Sequence, residues 1–153
     1  MAVDDTKNAP RRVSATEAHA LIRDEGFVYV DVRSQAEVDA GCPDDAYHVP
    51  FALADAHGMH DNPIFIAVMR GNFALDDKLV IGCATGVRSL RAVQQLLAAG
   101  FVNVVDQRAG FLGAKDVFGR TTEAGWSALG LPVSHDIDDA RSYCVLSQRK
   151  KAT

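Results

Sequence analysis

A chain of 153 residues, with 48% hydrophobic and 24% charged side chains, is long enough for one domain with a real core and too short for two comfortable ones. A formal net charge of -4 argues against a nucleic-acid partner, and no apolar run approaches the length of a membrane span. Cys42, Cys83 and Cys144 are odd in number and widely spaced, which argues against a disulfide framework or a paired C-x-x-C zinc site and leaves at least one thiol free.

The opening MAVDDTKNAPRR has no apolar segment behind its charges, so a cytoplasmic location is the expectation, with residues 1–12 a flexible N-terminal segment. Ser14-Ala-Thr-Glu17 has the spacing of a capping box, and Ala18, Leu21 and Ile22 supply an apolar face, predicting a helix from Ala15 to about Asp24. Gly26 ends it. Phe27 to Val32 is β-branched and aromatic with almost no polar interruption, as in a strand covered on both faces of a parallel sheet. The strand finishes in Asp31-Val32-Arg33, and Ser34 with Glu37 can cap a short helix. Arg33 is a candidate site residue, or the structural partner of Asp31 or Glu37.

Gly41 to Asp45 is turn chemistry, Tyr47 to Pro50 a brief strand, and Ala52 to Asn62 a loop. His57 and His60 in that loop have H-x2-H spacing but no third ligand signal, so no metal site is expected. Pro63 suits a first helical position, and the helix runs to about Gly71. Leu79 to Gly82 is a short apolar strand. Leu90, Val93, Leu96 and Leu97 then recur at helical spacing up to Gly100, and Phe101 to Val105 supplies another strand. Arg108 to Arg120 contains three glycines and reads as a loop or broken helix; Thr122 is placed as the cap of a last short helix. From Ser134 onward the chain has little core signal and reads as a C-terminal tail. Alternating strands and helices predict an α/β layer fold with a mainly parallel sheet, whose ligand crevice lies beyond the carboxyl ends of the strands.

Cys83 stands where a strand ends and a helix begins. A free thiol titrates near pH 8.5, so a reactive one needs help from its surroundings. Backbone N–H groups from Ala84 onward can converge on the sulfur, and the following helix adds the positive end of its dipole. Gly86 permits a positive φ, Arg88 brings a permanent cation, and Ser89 can donate to the sulfur or cap the helix. Against this stands the common case of a cysteine at a buried strand end that is inert packing.

Cys83 to Ser89, CATGVRS, resembles the active-site loop of the rhodanese (sulfurtransferase) family, C-x-x-G-x-R followed by serine or a small residue. VYVDVR (Val28 to Arg33) with Glu37, LLAAGFVNV (Leu96 to Val104) and GLPV (Gly130 to Val133) resemble other family segments, together spanning a domain from Val13 to Val133. The likeness is nearest to single-domain plant and bacterial forms. It implies a rhodanese-like three-layer fold, α/β, with helices on both faces of the sheet. It implies ping-pong sulfur transfer through a Cys83 persulfide, with no cofactor or metal. The donor would be a small molecule such as thiosulfate and the acceptor cyanide or a thiol, including a protein thiol. Ala84, Thr85, Gly86, Val87, Arg88, Ser89 and Arg33 would bind substrate. Two departures stand out: Gly41-Cys42-Pro43-Asp44-Asp45-Ala46 where the family often has G-H-I-x-G-A, and Ala109-Gly110-Phe111 where it often has G-G-F. Competing readings are a non-catalytic rhodanese module that binds or regulates a partner, and an arsenate reductase or phosphatase-like enzyme. The latter use C-x5-R, one residue longer than the spacing from Cys83 to Arg88. Cys42 could resolve a Cys83 persulfide if the two loops meet.

Overall fold

The structure, a computed structural model, describes residues 9–151. Most of the N-terminal segment expected to fray, residues 1–8, lies outside the described residues. Arg11 and Arg12, expected to fray with them, instead form β1 (Arg11–Val13), paired in parallel with β8 (Val104–Gln107). The main sheet has five strands in the order β1-β8-β7-β2-β4, where β2 is Val28–Asp31, β4 Tyr47–His48 and β7 Leu79–Gly82. Every pairing in it is parallel, as the uninterrupted apolar runs of β2 and β7 require when both faces are covered.

Alternate residues along each strand feed two separate cores. Val30, Leu79, Ile81 and Val104 meet α3 (Phe65–Asn72) and α4 (Val87–Ala98), through Phe65, Val68, Met69, Ala92, Val93 and Leu96. Tyr29, Val80 and Val105 point the other way, onto Ala15, Ala18 and Leu21 of α1 (Ala15–Glu25) and onto Trp126. α1 begins with the Ser14/Glu17 capping box and ends at Gly26 in the left-handed conformation. The second box, Ser34 with Glu37, starts α2 (Gln35–Asp39) directly after β2. The result is the expected three-layer α/β fold.

Several expectations need correction. Ala52 to Asn62 is a hairpin of β5 (Ala52–Asp55) and β6 (Gly58–Asp61); β6 is exposed along its length, so no hydrophobic alternation announces it. The strand placed at Phe101 to Val105 starts at Val104, because Phe101 and Val102 donate their N–H groups to Leu96 and Leu75 in closing α4. Thr122 caps no helix: it lies in β10 (Thr121–Glu123), paired with β9 (Ala114–Lys115), and the following 3-10 turn runs Trp126–Leu129. The segment from Ser134 carries more core than its composition suggests. β11 (Val133–Ser134) pairs with β3 (Cys42–Pro43), and α5 (Tyr143–Leu146) sets Leu146, 2% exposed, into the core beside α3. Asn72 of α3 secures this end by donating to the carbonyls of Leu146 (2.8 Å) and Arg149 (3.1 Å).

Candidate active site

The central strand β7 is buried throughout and delivers Cys83 at its carboxyl end, 1% exposed. The loop that follows is shaped by its backbone. Phe111 and Leu112 donate N–H groups to the carbonyls of Cys83 (2.8 Å) and Ala84 (2.9 Å), engaging both oxygens away from the sulfur. Gly86 then turns the chain with φ 92°, in a space where a Cβ would lie 2.1 Å from the Arg108 carbonyl oxygen. The turn aims two donors at one atom: Gly86 N–H at 3.2 Å and Ser89 N–H at 3.3 Å both reach Cys83 Sγ.

This also explains how α4 starts. Its N-cap is Gly86, which has no side chain to satisfy the orphan N–H groups of the first turn, and the sulfur takes that place on the third helical residue. A thiol accepts such bonds weakly and a thiolate accepts them well, so the loop is polarised toward negative charge on Sγ.

Behind the loop, Ser89 is fully buried. Its hydroxyl donates to the Asp106 carboxylate at 2.5 Å, and its oxygen lies 3.4 Å from Cys83 Sγ, positioned to accept the thiol proton. Asp106 is likewise fully buried, in β8 next to β7, and accepts from Arg12 Nε at 2.6 Å. Burial pushes the Asp106 carboxyl up, against the opposing bonds from Ser89 and Arg12. Arg12 also reaches the Gly86 carbonyl at 3.3 Å, so β1 holds both the carboxylate and the loop. The reading of the chain missed Asp106 and Arg12. The available signal was a carboxylate closing an apolar strand, as Asp31 does; the β7–β8 register sets Ile81 opposite Asp106.

The two arginines expected at the site are both engaged. Arg88 makes a bidentate pair with Glu37 at 2.7 and 2.9 Å, tying α4 to α2. Those bonds, helped by the Ser34 N–H and opposed by burial, hold the Glu37 carboxyl down at about 2. Arg33 is 3% exposed; its guanidinium lies on Asp31, donates to the Gly41 carbonyl at 2.7 Å, and stacks over Phe111 at 4.3 Å. Its own carbonyl lies 2.8 Å from His48 Nε2, and burial pushes the His48 imidazole down. Arg33 is therefore a brace beneath the crevice, with Asp31 rather than Glu37 as its partner. Of the other loop residues, Ala84 is buried, Thr85 half-buried, and Val87 points outward at 66% exposure.

A groove of about 540 Å³ runs beside the loop, lined by Thr85, Gly86 and Val87 with Arg108, Lys115 and Glu123. Cys42 is elsewhere, buried in β3 with its sulfur against the Ser134 carbonyl at 3.7 Å, and it lines a separate acidic cavity with Asp44, Asp45 and Asp136. Burial raises its thiol to about 11, which suits an inert sulfur better than a resolving one. His57 and His60 sit on the β5–β6 hairpin, where exposed His60 lies 3.4 Å from Asp55.

Comparison with known proteins agrees with this geometry. The chain is 34% identical over 128 residues to thiosulfate sulfurtransferase 16, chloroplastic, of Arabidopsis thaliana, covering 84% of this chain and 96% of that protein. It is 34% identical over 112 residues to the senescence-associated protein DIN1 of Raphanus sativus, covering 73% of this chain but 61% of that protein. Among solved structures, Rv0390 from M. tuberculosis superimposes with a TM-score of 0.67 at 28% identity, covering 82% of this chain and 97% of that one. The rhodanese-like domain description matches residues 14–116, from the cap of α1 through β9. With its fold, its cysteine loop and this match in agreement, the chain belongs to the family of rhodanese-like domains.

Proposed function

We propose that the protein is a sulfurtransferase that carries sulfane sulfur on Cys83. The observation that carries this reading is the pair of backbone N–H groups, from Gly86 and Ser89, converging on a buried sulfur at 3.2 and 3.3 Å. The sulfurtransferase name of a relative over 84% of the chain supports the same reading.

In the first half-reaction the Cys83 thiolate attacks the outer sulfur of thiosulfate. A bond forms between Sγ and that sulfur, the sulfur–sulfur bond of thiosulfate breaks, and sulfite leaves with the electron pair. The persulfide so formed carries its negative charge on the outer sulfur, while the donors to Sγ suit the thiolate that attacks. In the second half-reaction cyanide or a thiolate attacks the outer sulfur; the persulfide bond breaks, its electron pair returns to Sγ, and the donors again hold a thiolate. Two displacements at sulfur replace one difficult transfer, without metal or redox cofactor. Thr85 and Val87 form the wall that donor and acceptor pass, Ala84 and Gly86 supply backbone, and Arg88 and Arg33 hold α2 and the Gly41 turn in place around it.

The Arg88–Glu37 pair also weighs against phosphatase or arsenate-reductase chemistry. The guanidinium that would clasp a tetrahedral oxyanion is already bound to a carboxylate.

Thiosulfate:cyanide turnover by the wild type and by Cys83→Ser tests the reading. We expect wild-type turnover, and a variant reduced to the uncatalysed rate. Intact mass after thiosulfate should gain one sulfur atom in the wild type alone. Turnover unchanged in Cys83→Ser rejects the nucleophile. No sulfur gained from thiosulfate, mercaptopyruvate or a persulfide donor favours a non-catalytic binding module.

A further inference from the structure

Asp106 has an arrangement that sulfur transfer as described does not use. It is a carboxylate with no exposure, bonded to a serine that is itself within reach of the nucleophilic sulfur. Arg12 holds only Oδ2, at 2.6 Å. Oδ1 is instead committed to Ser89, leaving the Ser89 oxygen free to accept from Cys83.

We propose that Asp106 is a positioning residue that stores the proton of Cys83, acting through Ser89. The Cys83 S–H proton passes to Ser89 Oγ as the Ser89 hydroxyl proton passes to Asp106 Oδ1. The S–H and Ser89 O–H bonds break while a new Ser89 O–H and an Asp106 O–H form. No charge is created: one negative charge moves from the carboxylate to the sulfur. Afterwards the Ser89 hydroxyl donates to the thiolate, beside the N–H groups of Gly86 and Ser89, and neutral Asp106 donates to Ser89 Oγ. Sulfur and carboxylate then share one proton, as two acids flanking a buried hydroxyl do when both anions together are costly.

The surrounding charges allow both states. Arg12 from β1 favours the ionised carboxylate, with its side chain 40% exposed and so partly screened. Arg108, beyond β8, acts the same way from farther off, with its own charge largely taken by Glu123 and Glu17. On the sulfur side Arg88 is neutralised by Glu37, and the buried Tyr29 hydroxyl of β2 is held by Gln107 and stays protonated. The burial that raises the Asp106 carboxyl is what favours proton storage there.

The test is the rate of Cys83 alkylation by iodoacetamide, a neutral reagent, from about pH 5 to about pH 9, read at the Cys83 peptide because Cys144 is exposed. The wild type should show an acid-side shoulder in which the rate stops falling with pH, the signature of a shared proton. Asp106→Asn and Ser89→Ala should both lose the shoulder, with rates about tenfold lower at the acid end and approaching the wild type near pH 9. A merely structural role would lower the rate by one factor at every pH and keep the profile's shape, which overturns the proposal. A wild-type profile without a shoulder does the same. If Asp106→Asn fails to fold, Ser89→Ala decides, since it leaves the Arg12–Asp106 pair intact. The proposal rests on Cys83 being the reactive thiol, but alkylation needs no sulfur donor. A shoulder without sulfur gained from any of the three donors retains the proton store and rejects sulfur transfer; turnover without a shoulder does the reverse.

Discussion

Gly86 is where the chemistry of the loop depends most directly on a single residue. Its φ of 92° and the Arg108 carbonyl 2.1 Å from where a Cβ would stand leave no room for a side chain, and the obstacle is backbone that cannot swing aside. Gly86→Ala should cost about 1–3 kcal/mol from strain alone, read by urea denaturation. It should also abolish sulfur loading, because relieving the collision moves the Gly86 N–H off Cys83. At this scale the loop was legible: the glycine, the cysteine and the serine are where the C-x-x-G-x-R-S spacing set them. The partners were less so. Arg88 looks like a free cation in the sequence, yet it is held by Glu37; Arg33 is held by Asp31, one of the two partners its position offered; and Asp106 passes for an ordinary polar residue at a strand end.

Elements carry the next level of control. α4 begins on a sulfur in place of a capping side chain, and its first turn is held to α2 by Arg88 and Glu37. Glu37 sits at about 2 against an ordinary value of 4.5. Its contribution to stability is therefore complete above about pH 4.5 and is lost as the pH falls toward about 2. Both side chains keep some contact with water, so screening reduces the nominal value of the pair. Glu37→Gln should cost about 1–2 kcal/mol at neutral pH, and the gap to the wild type should close on acidification, as measured by denaturation at both pH values. The two capping boxes that place α1 and α2 were readable from S-x-x-E spacing because a cap is a local bond. The β5–β6 and β9–β10 hairpins were not, since their strands are short and mostly exposed.

For the whole molecule, the parallel order of the sheet sets Asp31, Cys83 and Gln107 together at the carboxyl ends of three neighbouring strands, with Asp106 one residue earlier in β8. The C-terminal segment supports the structure from behind: Leu146 fills the core between β-strands and α3, and Asn72 fastens the backbone that follows. Leu146→Ala should destabilise the protein by about 2–4 kcal/mol in urea or thermal unfolding, a cost a loosely attached tail would not show. The sequence by itself determined the α/β layering, the covered parallel sheet and the cysteine loop, because periodicity, caps and a compact motif act over a few residues. Only the tertiary structure decided which charges are free at that loop and what stands behind it. Arg12 and Asp106 are 94 positions apart, Arg88 and Glu37 51, and Cys42 and Ser134 92. Bonds across such distances leave no periodic trace in the chain; the folding of the sheet brings their members together.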